Sequence, residues 1–303
     1  MNAGRPALVT IVLNTNRKQD TLECLASLGR CSGPVNHVIA LDNHSLDGSV
    51  DAIRTAFPLT EIIAIETDRG YAGNNNVGLT AALAYESEWI LILNEDTILD
   101  PACLQELVTA GEADSAIGIV GPMVFHHDEP DVIQSAGGRL GRFWESIHIG
   151  VNETNSNQFE QVRQVDWISG CALLVRRRLV EQIGMLDERF YYYWEETEWC
   201  LRARKAGWRI VHVPSAKLWH KGVRRDYTPS PNVTYYSTRN RFLMMSKHRP
   251  PLSVWVVVWG RTLRTLASWT ISHKWQAQRP HRDAMLQGIK DYLFSRWGAR
   301  VSR

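Results

Sequence analysis

At 303 residues, 44% of them hydrophobic, the chain is long and apolar enough for one large domain or two small ones with a packed core. Its net charge of +2 conceals a split: from Lys247 onward eleven Lys/Arg stand against two Asp, a balance of +9, and the preceding residues carry −7. A basic tail on an acidic body suits an anionic surface, whereas no stretch approaches the roughly 18 apolar residues that span a bilayer. The five cysteines are odd in number and lack metal-type spacing, and Met1 to Pro6 is no signal peptide, so a cytosolic protein with reduced thiols is expected.

Leu8–Leu13 is apolar and β-branched and predicts a strand. Asp20–Leu28 carries Leu22, Leu25 and Leu28 at helical spacing. Val35–Leu41 predicts a second strand, Asp47–Phe57 a helix capped by Asp47, and Glu61–Ile65 a third strand. A Gly-rich loop leads into a helix over Asn74–Tyr85, followed by a strand over Trp89–Leu93. Asp100-Pro101 opens another helix, with Asp at the N-cap and Pro at the first helical position, and Ile117–Val120 returns to strand. Strands separated by helices imply βαβ units and a parallel sheet with right-handed crossovers. Residues 126–165 are polar and Gly-rich without a clear period and predict loops with a short hairpin. Gly170–Val175 and Trp208–Val213 predict strands, with a helix over Glu195–Ala206 between them. The tail from Pro250 is Trp-rich and basic: Trp255, Trp259, Leu263, Leu266 and Thr270 share one helical face, Arg261 and Arg264 the other. Such a helix suits either a membrane interface or packing on the body.

Five segments can carry chemistry. The strand Trp89–Leu93 stops at Asn94-Glu95-Asp96. Strand ends in open α/β sheets rim the ligand crevice, and carboxylates there suit Mg²⁺ or Mn²⁺ bridging to substrate phosphates. Asp42, after the second strand, can accept the N3–H of a uracil or thymine ring; Asp47 and Ser49 in the same loop read as turn and cap residues. In the segment Asp68 to Gly78, glycines permit close backbone approach, the next helix N-terminus attracts phosphate, and Arg69 can pair with a diphosphate. Trp194-Glu195-Glu196-Thr197-Glu198 places three acids among aromatics at a helix start. Partial desolvation raises a carboxyl pKa and makes a better base near neutral pH, while Glu198 and Arg202 sit at ion-pair spacing. His220, after Trp219, can complete a metal site.

Taken in order, "LDNHSLDGS", "DRGYAGNNNVG", "LNEDT", "YYWEETEWCLRARKAGWRIVHVP" followed by "WH", and "YYSTRNRFLMM" from Tyr235 resemble glycosyltransferase family 2, over roughly Val9 to His248. The chain is most similar to its bacterial rhamnosyltransferase-like members. The resemblance implies a GT-A, Rossmann-like, mostly parallel sheet flanked by helices. It implies a catalytic domain over 1–248, with a nucleotide-binding half of about 1–125 and an acceptor half of about 126–248, and an amphipathic basic helical extension over 249–303. By resemblance, Asn14, Asp42, Asn43, Arg69, Gly70, Gly73, Asn74 and Asn94 bind the nucleotide, and Asp96 and His220 hold Mg²⁺ or Mn²⁺. Glu196 is the general base, Glu195 positions substrate, and Tyr193, Trp194, Trp167 and Gly170 face sugar or acceptor.

Asn94 stands where the family often has Asp, and Glu196 is longer than the usual Asp. Asp68 replaces Asn and Asn74 replaces Gly in the phosphate segment. The implied reaction is inverting transfer of a sugar such as L-rhamnose from a dTDP- or UDP-sugar to a hydroxyl. The implied acceptor is a glycan or a polyprenyl-diphosphate-linked glycan of cell-surface polysaccharide synthesis. The implied location is the cytoplasm, peripheral at the inner face of the cell membrane through the tail, with no nucleic-acid partner. The competing readings are a sugar nucleotidyltransferase and an inactive membrane-docked scaffold. Asn14-Thr15-Asn16-Arg17-Lys18 lacks the glycines that a triphosphate grip needs, and the acids argue against the scaffold.

Overall fold

The computed structural model describes residues 7–34, 36–222 and 224–301. Met1 to Pro6, Val35 and Arg303, which entered the expectations above, lie outside the described residues. In chain order the first half runs β1 (Leu8–Asn14), α1 (Lys18–Leu28), β2 (Asn36–Asp42), α2 (Ser49–Ala56), β3 (Glu61–Ala64), α3 (Gly70–Leu83), β4 (Trp89–Asn94), β5 (Thr97–Leu99), α4 (Cys103–Glu112) and β6 (Ile117–His126). Four short strands follow: β7 (Ile133–Ser135), β8 (Gly138–Leu140), β9 (Ser146–His148) and β10 (Arg163–Gln164). Then come β11 (Ala172–Arg176), α5 (Arg177–Ile183), α6 (Glu195–Lys205), β12 (Arg209–His220), α7 (Pro231–His248), α8 (Leu252–Ile271), a 3-10 helix (His273–Gln278) and α9 (Arg279–Leu293).

The main sheet has the order β10-β12-β6-β11-β4-β1-β2-β3, with β5 on β12 and β7 on β6. β3, β2, β1 and β4 are parallel, as helix-spaced strands require. β11 is antiparallel to both β4 and β6, which makes the sheet mixed at its centre. Side chains alternate across the pleat. Trp89, Leu91 and Leu93 of β4 enter the core under α1 and α4, and Ile90 and Ile92 the core that includes Leu79 of α3 and Trp199 of α6. Helices on both faces explain why β4 reads as a continuous apolar run rather than an alternating one.

The helices expected to be capped by Asp47 and Asp100 start later, at Ser49 after Gly48 and at Cys103 after Ala102; three other boundaries differ from the sequence pattern for a local reason. The expected strand Ile117–Val120 runs on through Pro122 to His126. β12 passes Pro214 by shifting register between Val213 and Lys217, and so reaches His220. The expected Gly-rich loop is the first turns of α3, which starts at Gly70. A Cβ on Gly78 would lie 2.5 Å from Ile11 Cγ2, so this glycine lets α3 sit close on β1.

The tail is helical and packed. α7 runs along α9, so the helical layer crosses position 248 without a break. α8 buries Val254, Val258 and Leu266, and Trp259 stacks on Phe242 of α7 at 4.5 Å. Arg261, expected on a free basic face, pairs instead with Glu145 at 2.8 Å. Leu252, Val256 and Leu263 remain 77, 64 and 57% exposed. No helix among the described residues is long and apolar enough to cross a membrane.

Candidate active site

Sheet register assembles the site. Asn14 pairs with Asp42 across β1 and β2, Leu13 with Asn94 across β1 and β4, and His220 with Thr97 across β12 and β5. The C-terminal ends of three parallel strands therefore share one rim, and β12 returns to set His220 beside Asp96. A cleft of about 610 Å³ opens there, walled by Asn94, Asp96, Gly170, Tyr193, Glu195, Glu196 and His220 among others.

Asp96 is 4% exposed, and its Oδ1 accepts no hydrogen bond. His220 Nε2 stands 3.1 Å from that oxygen, and Arg17 Nη1 donates to Asp96 Oδ2 at 3.0 Å. Burial acts to raise the Asp96 carboxyl, but His220 and Arg17 outweigh it and hold the group below its ordinary value. His220 Nδ1 donates to Gln134 Oε1 at 2.8 Å. An amide oxygen only accepts, so Nδ1 carries a proton, and Nε2 is the ring nitrogen left to face Asp96, able to ligate a cation when unprotonated. Gly222 closes the pocket: a Cβ there would fall 2.4 Å from Asp96 Oδ2 and 3.2 Å from His220 Nε2. Two converging lone pairs, one orphaned, in a recess only glycine permits, fit a hard divalent cation with substrate oxygens completing its shell. Among the described residues no cluster of three or more His, Cys, Asp and Glu side chains forms a cage. Glu95 is pushed up to about 8 by burial and by the Asp96 charge, which leaves Asp96 as the anionic member of the triplet.

Glu195 and Glu196 open α6 and line the same cleft. Glu195 is 5% exposed with Oε2 unpartnered, and burial, then the charge of Glu196, raises its carboxyl well above the usual range. Glu196 is half-buried, touched only weakly by Thr197 Oγ1 at 3.4 Å, and burial raises it as well. Glu195 is the more enclosed of the two, and both line the cleft. Glu198, one turn on, moves the other way: burial acts to raise it, but His248, Arg202 and Lys247 hold it below its ordinary value.

The remaining expected residues divide. Tyr193 and Gly170 line the cleft, and the Gly170 carbonyl accepts from Tyr71 Oη. Trp194 turns away into a second cavity of about 420 Å³ beside Arg241 and Phe242. Trp167 is no contact residue: it is 1% exposed, edge-on behind His148 at 4.7 Å, because its ring fills the space beside Gly138. Asn14 is fully buried, with Nδ2 within 3.0 Å of Asp42 Oδ1, Ser45 Oγ and Ser49 Oγ, and Oδ1 accepting from Thr21. Its polar atoms are spent on shaping the Asp42 loop, so it orients rather than touches a nucleotide. Asp42 retains spare lone pairs beside Asn14 and the Ser45 N–H, and the Oδ1 of neighbouring Asn43 is buried without a partner.

Asn74 is likewise consumed, donating to Asp68 and accepting from the Arg69 N–H at 3.0 Å. Gly73 lies inside α3, and Gly70, at φ +68°, makes room for Tyr191, whose carbonyl oxygen a Cβ would meet at 2.5 Å. Arg69 is half-exposed, 3.9 Å from Glu188. Arg17 and Gln134 went unread in the sequence. Arg17 follows a strand end, a usable signal; Gln134 lies in the aperiodic stretch and offers none.

Residues 5–244 match the profile of "Glycosyltransferase like family 2". The chain belongs to this family. The chain is 28% identical over 266 residues to the N-acetylglucosaminyl-diphospho-decaprenol L-rhamnosyltransferase of Mycobacterium tuberculosis, covering 80% of this chain and 86% of the relative. It is 25% identical to the dTDP-rhamnosyl transferase RfbF of Shigella flexneri over 84% of this chain and 86% of that protein. The fold matches the mannosyltransferase PcManGT of Pyrobaculum calidifontis in complex with GDP-Man and Mn²⁺, at a TM-score of 0.58 and 15% identity, covering 97% and 88% of the two chains. The family 2 chain described here is a glycosyltransferase of GT-A fold.

Proposed function

We propose that this glycosyltransferase transfers L-rhamnose, with inversion, from dTDP-rhamnose to a hydroxyl of a lipid-diphosphate-linked glycan in cell-surface polysaccharide assembly. One observation carries the reading: a cation-ready Asp96–His220 pair and a desolvated Glu196 line one cleft. Donor and acceptor follow the names of the relatives from S. flexneri and M. tuberculosis.

Asp96 and His220 would hold Mg²⁺ or Mn²⁺, which when bound supplies Lewis-acid neutralisation of the diphosphate leaving group. Asp42 would accept from the pyrimidine N3–H. Glu196, ionised and poorly solvated, would take the acceptor hydroxyl proton as that oxygen attacks the anomeric carbon from the face opposite the diphosphate. Glu195, protonated, would donate a hydrogen bond to substrate. Tyr193 would cover the sugar and limit attack by water. The exposed apolar strip of α8 would rest on the membrane that carries the acceptor lipid.

Calorimetry with dTDP and Mn²⁺ tests the cation site apart from turnover. Asp96→Asn should abolish the gain in dTDP affinity that Mn²⁺ gives the unaltered protein; an undiminished gain in the variant would place the cation elsewhere.

A further inference from the structure

The segment leading into the acidic pair is backbone that side chains rarely adopt. Tyr191, Tyr193 and Trp194 have φ of +66°, +67° and +78°. None is glycine, so the conformation persists only where surroundings over-determine it. The surroundings are two residues of α7. Asn240, fully buried, places Nδ2 2.8, 2.7 and 2.8 Å from the carbonyl oxygens of Phe190, Tyr192 and Tyr193. Arg239, also fully buried, donates from Nη2 to the carbonyls of Arg189 at 3.1 Å and Phe190 at 2.9 Å, and from Nε to Asn240 Oδ1 at 3.0 Å.

Among the described residues Arg239 makes no ion pair. A buried guanidinium without a carboxylate is a poor source of stability. Three of its hydrogen bonds go to backbone carbonyls and two to the side chains of Asn240 and Tyr235, which fixes geometry. Nη1 reaches past the segment to the Gly298 carbonyl at 2.8 Å, and the Arg300 N–H donates to Tyr236 Oη at 2.8 Å. The C-terminal strap beyond α9 is thereby tied to the same point.

We propose that Asn240 and Arg239 are positioning residues for Glu195 and Glu196, and that the strap at Trp297–Arg300 is the outer half of their clamp. They set the Tyr191–Trp194 path that starts α6 and aims its first acids into the cleft. The proposal rests on the reading of Glu196 as base. It gives the "RNR" of the Tyr235 segment a task and makes the tail part of the catalytic unit.

The test uses full-length protein with Mn²⁺, measuring turnover with dTDP-rhamnose and a synthetic N-acetylglucosaminyl-diphospho-lipid, and dTDP affinity and stoichiometry by calorimetry. Asn240→Asp keeps the shape but sets oxygens against three carbonyls. It should lower kcat about 100-fold, the effect of a small displacement of a catalytic group, with dTDP affinity and stoichiometry unchanged. Arg239→Lys keeps the charge, loses the fork, and should do the same; it carries the test if Asn240→Asp does not fold. Tyr236→Phe, which frees the strap, should give a smaller loss of the same kind. Full kcat in both α7 variants, or a kcat loss matched by a loss of dTDP stoichiometry, overturns the clamp. Glu196→Gln is run alongside: if it retains turnover, the base reading fails, whereas an inactive Glu196→Gln beside fully active α7 variants sinks the clamp alone.

Discussion

Asp96 and Glu196 are both carboxylates at one cleft, and their surroundings drive them apart. Asp96 is held ionised by His220 and Arg17; Glu196 is raised by burial with no cation at hand. The first suits a metal ligand, the second a base. Glu196→Gln should cut kcat about 100- to 10,000-fold, the range of a lost general base, and leave dTDP binding intact by calorimetry; equal loss of both would make Glu196 structural. The pH profile carries its own sign. A base works ionised, so kcat/KM should fall as pH drops through the raised Glu196 value, above the ordinary glutamate region of about 4.3. Burial and the Glu196 charge both raise Glu195, and Glu195→Gln should leave that limb in place; a limb that moves would show that the two share one proton. The sequence announced these residues because chemistry-bearing side chains sat at a strand end and a helix start. It could not separate Trp167 from Tyr193, since both are aromatics in segments without a clear period and only packing tells wall from core. Nor could it show that the polar atoms of Asn14 are taken, because their partners Thr21, Asp42, Ser45 and Ser49 lie in other elements.

The helix α6 illustrates how one element serves two ends. Its first turn presents Glu195 and Glu196 to the cleft, while Glu198, wholly buried, meets Arg202 at 2.9 Å, Lys247 at 2.9 Å and His248 at 3.1 Å. Glu198→Gln strips Arg202 of its carboxylate, although Lys247 keeps Asp187, and should cost about 3–5 kcal/mol of stability, read as a lower Tm, with kcat per folded molecule retained; loss of kcat at unchanged Tm would contradict this division. Because Glu198 is held low in the folded state, its contribution is present above about pH 4.3 and fades as pH falls through its folded value. The strands β1 and β4 were legible as continuous apolar runs because both are buried in the middle of the sheet. The ends of β6 and β12 were not, since Pro122 and Pro214 signal a stop in sequence while the sheet absorbs them. The glycines of α3 read as a loop because close packing on β1 leaves no trace in local propensity.

At the scale of the whole molecule, the C-terminal helices are part of the body. Deleting everything after Pro250 would strip α9 from α7, uncover buried Tyr235 and remove Asp291, which accepts from its hydroxyl at 2.8 Å, so truncation cannot isolate membrane binding. The outward strip can. Leu252→Ser, Val256→Ser and Leu263→Ser together should reduce sedimentation with vesicles of anionic phospholipid while Tm and kcat on a water-soluble acceptor stay unchanged; undiminished binding would leave the basic tail without this role. The charge split visible in the sequence marked the tail as special, but its helical face could not say which neighbour it meets, and Arg261 turned out to face Glu145.

The most direct test of the account is the stereochemistry of the product. Purified protein with Mn²⁺, dTDP-β-L-rhamnose and a lipid-diphosphate acceptor should yield an α-L-rhamnoside, read from the one-bond carbon–proton coupling at the anomeric centre, and none with Glu196→Gln. A β-linked product, or transfer that persists in Glu196→Gln, would contradict a single displacement driven from Glu196.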